Sequence, residues 1–203
     1  MKNFLRSVSL ALLINVLTSV LTTGAMSAAD TTPYWVEPCA NPKTNCVAGD
    51  LDLARWALAA WEAASGGHLH FVETKNRGEA LLRVRWADPT SGLYGETVAI
   101  EVNGRRGSEL YISITETGGN DKLLRDAIVY LTCLHESGHA LGLRHTREFA
   151  DIMYSFQYGG DIPEYFGRYR RKLATREDIR NNSGISPADR AHLLESVAEA
   201  VAR

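Results

Sequence analysis

The chain has 203 residues, of which 45% are hydrophobic and 23% charged, and its formal net charge at pH 7 is −2. So mild an acidic balance gives no electrostatic footprint for a nucleic-acid partner. The length suffices for one domain with a substantial core.

Lys2 and Arg6 precede an apolar run from Val8 to Leu21, followed by small residues up to Ala28 and Ala29. This order reads as a secretory signal peptide over residues 1–29, cleaved near Ser27 to Ala29. Ser9, Asn15, Thr18 and Ser19 interrupt the run, which is short for a spanning helix, and no later stretch is apolar enough to cross a bilayer. No stable membrane anchor is therefore expected. With Lys2 and Arg6 set aside the formal charge becomes −4. Residues 30–203 are expected to form a single domain, secreted or periplasmic, acting as a monomer. In an oxidising compartment Cys39 and Cys46, which enclose a short polar loop, are expected to pair as a disulfide bond. Cys133 is then left as a buried structural thiol.

After a Pro/Asn/Cys-containing lead-in with a short strand at Tyr34-Trp35-Val36, helical spacing of Leu53, Trp56, Ala57, Ala60, Trp61 and Ala64 predicts a helix over 51–64. Asp50 or Asp52 caps it and Gly66-Gly67 stops it. Trp56 and Trp61 read as core anchors. Residues 68–73 and 80–86 then read as strands, the second alternating Leu82, Val84 and Trp86 on one face. His68 and His70 read as surface histidines. Two further strands at 97–102 and 109–114 flank Asn103-Gly104-Arg105-Arg106-Gly107, a hairpin loop longer than a two-residue turn. Asn120-Asp121 opens a long helix with an apolar stripe of Leu123, Leu124, Ala127, Ile128, Leu131 and Leu134. Residues 161–184 form a polar, insertion-like segment whose basic cluster (Arg168, Arg170, Arg171, Lys172 and Arg176) reads as a solvated face. Ser186 as N-cap and Pro187 at the first position open a final helix. The order of elements predicts an α/β (α+β) domain with a mixed twisted sheet.

The long helix ends in His135-Glu136-Ser137-Gly138-His139-Ala140-Leu141-Gly142-Leu143-Arg144-His145. His135 and His139 lie one turn apart on one face, so both imidazoles reach one metal ion. Gly142, left-handed, turns the chain so that His145 supplies a third ligand. Three nitrogen ligands with an open position describe one catalytic Zn2+ and not a closed structural site. Glu136, beside the first histidine, is placed to deprotonate water held by the metal.

His135, Glu136, His139, Gly142 and His145, followed by Met153 in a short turn, resemble the metzincin clan of zinc endopeptidases. Thr146 after the third histidine and Asp151-Ile152-Met153-Tyr154 make the pattern most similar to the matrixins, the matrix-metalloproteinase-like group, as a minimal bacterial member. The specific match covers residues 130–154. The resemblance implies a zincin-like catalytic domain with an active-site helix and a C-terminal helix, and an antiparallel edge strand, at 97–102 or 110–115, against which a peptide or protein substrate lies extended. It implies Met153 as the floor beneath the histidines. The loop from Ser155 to Gly160 becomes a pocket wall, with Tyr154, Phe156 and Tyr158 as candidate lining residues; Tyr158 is the one placed to assist an oxyanion, Tyr154 being directed elsewhere. No Pro-Arg-Cys-Gly-Val-type pro-segment, second zinc site or recognisable calcium loop is visible, so Ca2+ is only a secondary expectation. The expected activity is hydrolysis of internal peptide bonds by Glu136-assisted attack of zinc-bound water. Its rivals are a zinc aminopeptidase and a secreted binding protein that keeps zinc for stability alone.

Overall fold

The computed structural model describes residues 31–91, 94–115 and 119–201, so the expected signal peptide lies outside the described residues. Five strands form one mixed sheet: β1 (Thr31–Val36), β2 (His70–Glu73), β3 (Leu82–Ala87), β4 (Gly95–Val102) and β5 (Arg105–Ser113), in the order β2-β1-β3-β5-β4. β1 runs parallel to β2 and β3, and β3 parallel to β5, while β4 alone is antiparallel and ends the sheet. Of the two segments expected to border a cleft, residues 95–102 therefore form the edge, and β5 lies inside the sheet between β3 and β4. The β4–β5 connection is tighter than its sequence reading. β5 already begins at Arg105, leaving only Asn103 and Gly104, with φ of 51° and 75°, in the turn. Two positive φ values are what a type I′ hairpin demands, and Asn-Gly supplies them at low steric cost.

Period-two alternation divides the sheet into unlike faces. Leu82, Val84 and Trp86 of β3 are buried with Leu110 and Ile112 of β5 and Val36 of β1, in one core with helices α1 (Asp50–Ala64) and α2 (Lys122–Ala140). Leu53, Ala57, Leu58 and Trp61 line the buried face of α1, and the Trp61 indole donates to the Leu134 carbonyl across the helix pair (2.9 Å). The helix opens at Asp50. Its carboxylate is buried, accepts from the Val47 amide (2.8 Å) and pairs with Arg125 of α2 (2.8 Å). Trp56 is only partly buried, covered by the guanidinium groups of Arg176 and Arg180. The opposite sheet face is polar: Glu109 of β5 bonds Arg77 (2.7 Å), Arg83 (3.4 Å) and the Tyr111 hydroxyl (2.8 Å). Cys39 and Cys46 are joined by a disulfide, and Cys133 is a buried free thiol whose pKa burial pushes well up.

The polar segment 161–184 contributes buried aromatic and aliphatic side chains to the same core. Its helix α3 (Ile162–Arg170) buries Tyr165, Phe166 and Tyr169, and Leu173 and Ile179 follow. The basic residues that mask this pattern in the sequence have specific partners. Arg170 pairs with Asp121 (3.1 Å), Arg176 with Asp126 (2.7 Å) and Arg171 with Glu164, while Arg168 stacks on Phe149 and Tyr165. Helix α4 (Pro187–Val201) opens on a reciprocal cap in which the Asp189 amide donates to Ser186 Oγ (3.0 Å) and the Ser186 amide to Asp189 Oδ2 (2.9 Å). Among the described residues no helix is long and apolar enough to cross a membrane.

Burial alone would raise the Glu109 pKa, but the Arg77 and Tyr111 hydrogen bonds and the nearby guanidinium charges outweigh it and hold the carboxyl at about 2. A folded-state pKa below the unfolded value stabilises the fold above the unfolded pKa. That contribution is expected to fade as the pH falls from about 4.5 towards 2. Glu109→Gln, measured by urea denaturation at pH 7, is expected to cost about 2 kcal/mol, and acid unfolding of the variant should lose part of its steepness in that window.

Candidate metal centre

Asp121 caps α2 by accepting from the Leu124 amide (3.0 Å), and the buried body of the helix carries the site rigidly. At its C-terminal end Gly142 has a φ of +90°, and the Leu143 amide closes back onto the Gly138 carbonyl (3.0 Å). The reversal brings His145 back over the helix. One ring nitrogen from each of His135, His139 and His145 converges, all three lying within 4.8 Å of one another. His145 Nε2 is 3.2 Å from His135 Nε2 and 3.0 Å from His139 Nε2.

The opposite ring nitrogens decide the chemistry of this cluster. His135 Nδ1 lies 2.7 Å from the Ile152 carbonyl oxygen and His139 Nδ1 2.9 Å from that of Leu143. A carbonyl only accepts, so both Nδ1 atoms carry the proton and both Nε2 lone pairs face the cluster. Burial pushes the His135 pKa down to about 4, and burial followed by the charge of His139 lowers that of His145, which favours neutral rings. The two Nε2 lone pairs of His135 and His139 thus face the point where His145 Nε2 also converges, a donor set open to a cation. The spacing matches a tetrahedral ion with bonds of about 2.0–2.1 Å, as zinc forms with histidine. The donor set thus fits a divalent metal. Among the described residues no other group of three or more His, Cys, Asp and Glu side chains converges in this way, and calcium finds no support. His68, His70 and His192 are exposed, and His70 faces Glu62.

The segment after His145 supports the ligands from below. Thr146 pairs in parallel with Tyr154, and its amide donates to the Met153 carbonyl (2.9 Å), so the third histidine and the methionine turn move as one piece. Met153 is fully buried. A Cβ on Gly138 would stand 2.5 Å from its sulfur, so only glycine lets the turn pack this closely beneath the helix. The buried Asp189 carboxylate takes the Ile152 amide (2.8 Å) and the Met153 amide (3.3 Å), and the single proton of the Tyr165 hydroxyl lies between the carbonyls of Asp151 (3.0 Å) and Ile152 (3.2 Å). These outer contacts hold the carbonyl that orients His135.

A cleft of about 1070 Å³ runs over the three histidines, bounded by β4 on one side and by Ser155, Phe156 and Gln157 on the other. Glu136 lines it and is otherwise buried; burial raises its pKa against a hydrogen bond from Thr97. Of the three aromatic residues expected in the wall, Tyr154 and Phe156 line the cleft and Tyr158 does not. Tyr154 is pinned by its hydroxyl to the Gly159 carbonyl (2.7 Å). Tyr158 is 43% exposed and stacks under Arg147. Tyr94, Phe156 and Phe166 pack ring against ring across the end of the cleft next to Gly95. Thr97, Gly95, Asp189 and Tyr165 escaped the sequence reading. Only Asp189 left a trace there, as the last member of the Ser186-Pro187-Ala188-Asp189 helix start.

His145→Ala is expected to weaken zinc affinity at least about tenfold, read by competition with a chromophoric chelator, while the metal-free variant unfolds at the parental denaturant midpoint. Gly138→Ala is expected to cost about 1–3 kcal/mol of stability in the same denaturation experiment, because Met153 must yield.

Compared with models of protein families and with curated proteins, the chain finds no match in either.

Proposed function

We propose that the chain is a secreted or periplasmic zinc-dependent endopeptidase, its residues 30–203 a single catalytic domain. The observation that carries this reading is the convergence of three imidazole nitrogens beside a buried carboxylate in a cleft bordered by an open strand edge. A site built for stability alone has no use for Glu136. The resemblance of residues 130–154 to the matrixins points the same way.

His135, His139 and His145 would hold the ion, and a zinc ion there supplies Lewis acidity that polarises a carbonyl and acidifies water. The residues of the chain do the rest. β4 offers its free edge to an extended peptide, whose backbone amides and carbonyls take the place of a sixth strand. From Gly95 to Ala99 that edge spans five residues, about 14 Å of strand. The lining extends from the aromatic end near Gly95 to Arg106 and Ser108, so an extended peptide has room on either side of the histidines. That geometry favours cutting internal bonds over trimming chain ends. Glu136 accepts a proton from the attacking water and returns it to the departing amine. Tyr94, Phe156 and Phe166 make the end of the cleft near Gly95 apolar and aromatic, suited to an uncharged side chain.

Peptide-library cleavage with mass-spectrometric product mapping tests the proposal on the zinc-loaded protein, its Glu136→Gln variant and a chelated control. Internal cuts by the parent alone are expected, with Glu136→Gln keeping zinc and losing about 10²–10⁴-fold in kcat. Cuts confined to free amino termini would replace the reading with an aminopeptidase. Zinc bound at full stoichiometry without any cleavage would replace it with a structural metal site.

A further inference from the structure

The same strand that faces the cleft also touches the carboxylate of Glu136. Thr97 Oγ1 lies 2.7 Å from Glu136 Oε2 and 2.9 Å from the Glu136 backbone carbonyl. The hydroxyl has one hydrogen. The carboxylate is the nearer and the charged acceptor, whereas the helical carbonyl has its own partner one turn further on. Thr97 therefore donates to Oε2 and leaves the lone pairs of Oε1 uncommitted by this contact. Oε1 is placed by the neighbouring residue of the same strand face. A Cβ on Gly95 would stand 2.7 Å from both Oε1 and Cγ of Glu136, so the carboxyl fills the space that the missing side chain leaves. Alternation along β4 puts residues 95 and 97 on one face, and both meet the same carboxyl group. A threonine is stiff at χ1, so its hydroxyl is a defined anchor.

We infer that Thr97 is a positioning residue for Glu136, fixing one carboxylate oxygen so that the other is presented to the attacking water. The inference rests on the proposed peptidase reading for its catalytic consequence, while the anchoring itself stands on the contact geometry. It also places the base under the control of the strand that receives the substrate. A peptide that pairs with β4 would therefore lie against the strand that sets the carboxylate.

Thr97→Val keeps the shape and removes the donor; Thr97→Ser keeps the donor. On zinc-loaded enzyme, Thr97→Val is expected to lower kcat about 10–30-fold with KM within about twofold of the parent and zinc content unchanged. Thr97→Ser is expected to stay within about threefold of parental kcat, and adding Thr97→Val to Glu136→Gln should cost nothing further. Should Thr97→Val not fold, Thr97→Ala reads the same loss. A second readout needs no turnover: crystal structures should show the Glu136 carboxylate turned from its parental position in Thr97→Val and held there in Thr97→Ser. Parental kcat in Thr97→Val, or an unmoved carboxylate, overturns the inference. A parent that cuts no peptide, with the carboxylate displaced only in Thr97→Val, upholds the anchoring and removes the peptidase reading instead.

Discussion

The buried carboxylate of Asp189 is the contact on which the histidine cluster depends. It receives amide protons from Ile152 and Met153 of the turn and from Ser186 at the start of α4. The turn it captures presents the Ile152 carbonyl to His135. A single negative charge therefore joins the last helix, the turn at Met153 and a histidine of the cluster. The positive end of the α4 dipole and the converging amides make burial of that charge affordable. Without the carboxylate those amides would sit unsatisfied in an interior that offers few other acceptors, and the His135 ring would lose its reference point.

Polar function here hangs on apolar fit. Gly138, between two of the ligands, lets the Met153 sulfur and the Trp61 indole approach the helix, and Trp61 in turn bonds the Leu134 carbonyl one residue before His135. The helix is thus gripped from below by side chains that never touch the ligands' ring nitrogens. Packing at crystal-like density makes such a grip stiff, so the nitrogens converge with little freedom to drift. On the opposite wall α3 seals the cleft with aromatic rings, and the Tyr165 hydroxyl shares the Ile152 carbonyl with His135.

The helix that carries the site was legible in the sequence because spacing on a helix is short-range. His135, Glu136 and His139 stand within five residues, and Gly142 announces the turn that returns His145. β3 and the β4–β5 hairpin were legible from alternation, with the difference that Asn103-Gly104 alone makes the turn and Arg105 already belongs to a strand. In residues 161–184 Arg171 and Lys172 do face solvent, but the buried face stayed hidden because the partners of Arg170 and Arg176 lie at Asp121 and Asp126. Charge that is spent across the fold looks free in one dimension. The same distance hides Thr97, whose hydroxyl is an ordinary strand residue until Glu136 is brought to it, and Asp189, whose sequence signature speaks only of a helix cap. Tyr158 was placed by loop proximity. In the fold, neighbouring Tyr154 and Phe156 take the wall, and the next turn carries Tyr158 out over Arg147.

The sheet order carries a consequence for how the chain assembles. β4 and β5 join through two residues, a closure that such hairpins complete in about microseconds. β1, by contrast, lies between β2 and β3, and its pairs reach from Thr31 to His70 and from Tyr34 to Leu82. Those pairings bear a larger loop-closure entropy before they return any energy. The β4 edge is therefore expected to exist early, as a local unit. The ligand geometry waits for Asp189, far along the chain, to reach Ile152. A nascent molecule would thus hold the β4 edge in place before the three imidazoles converge.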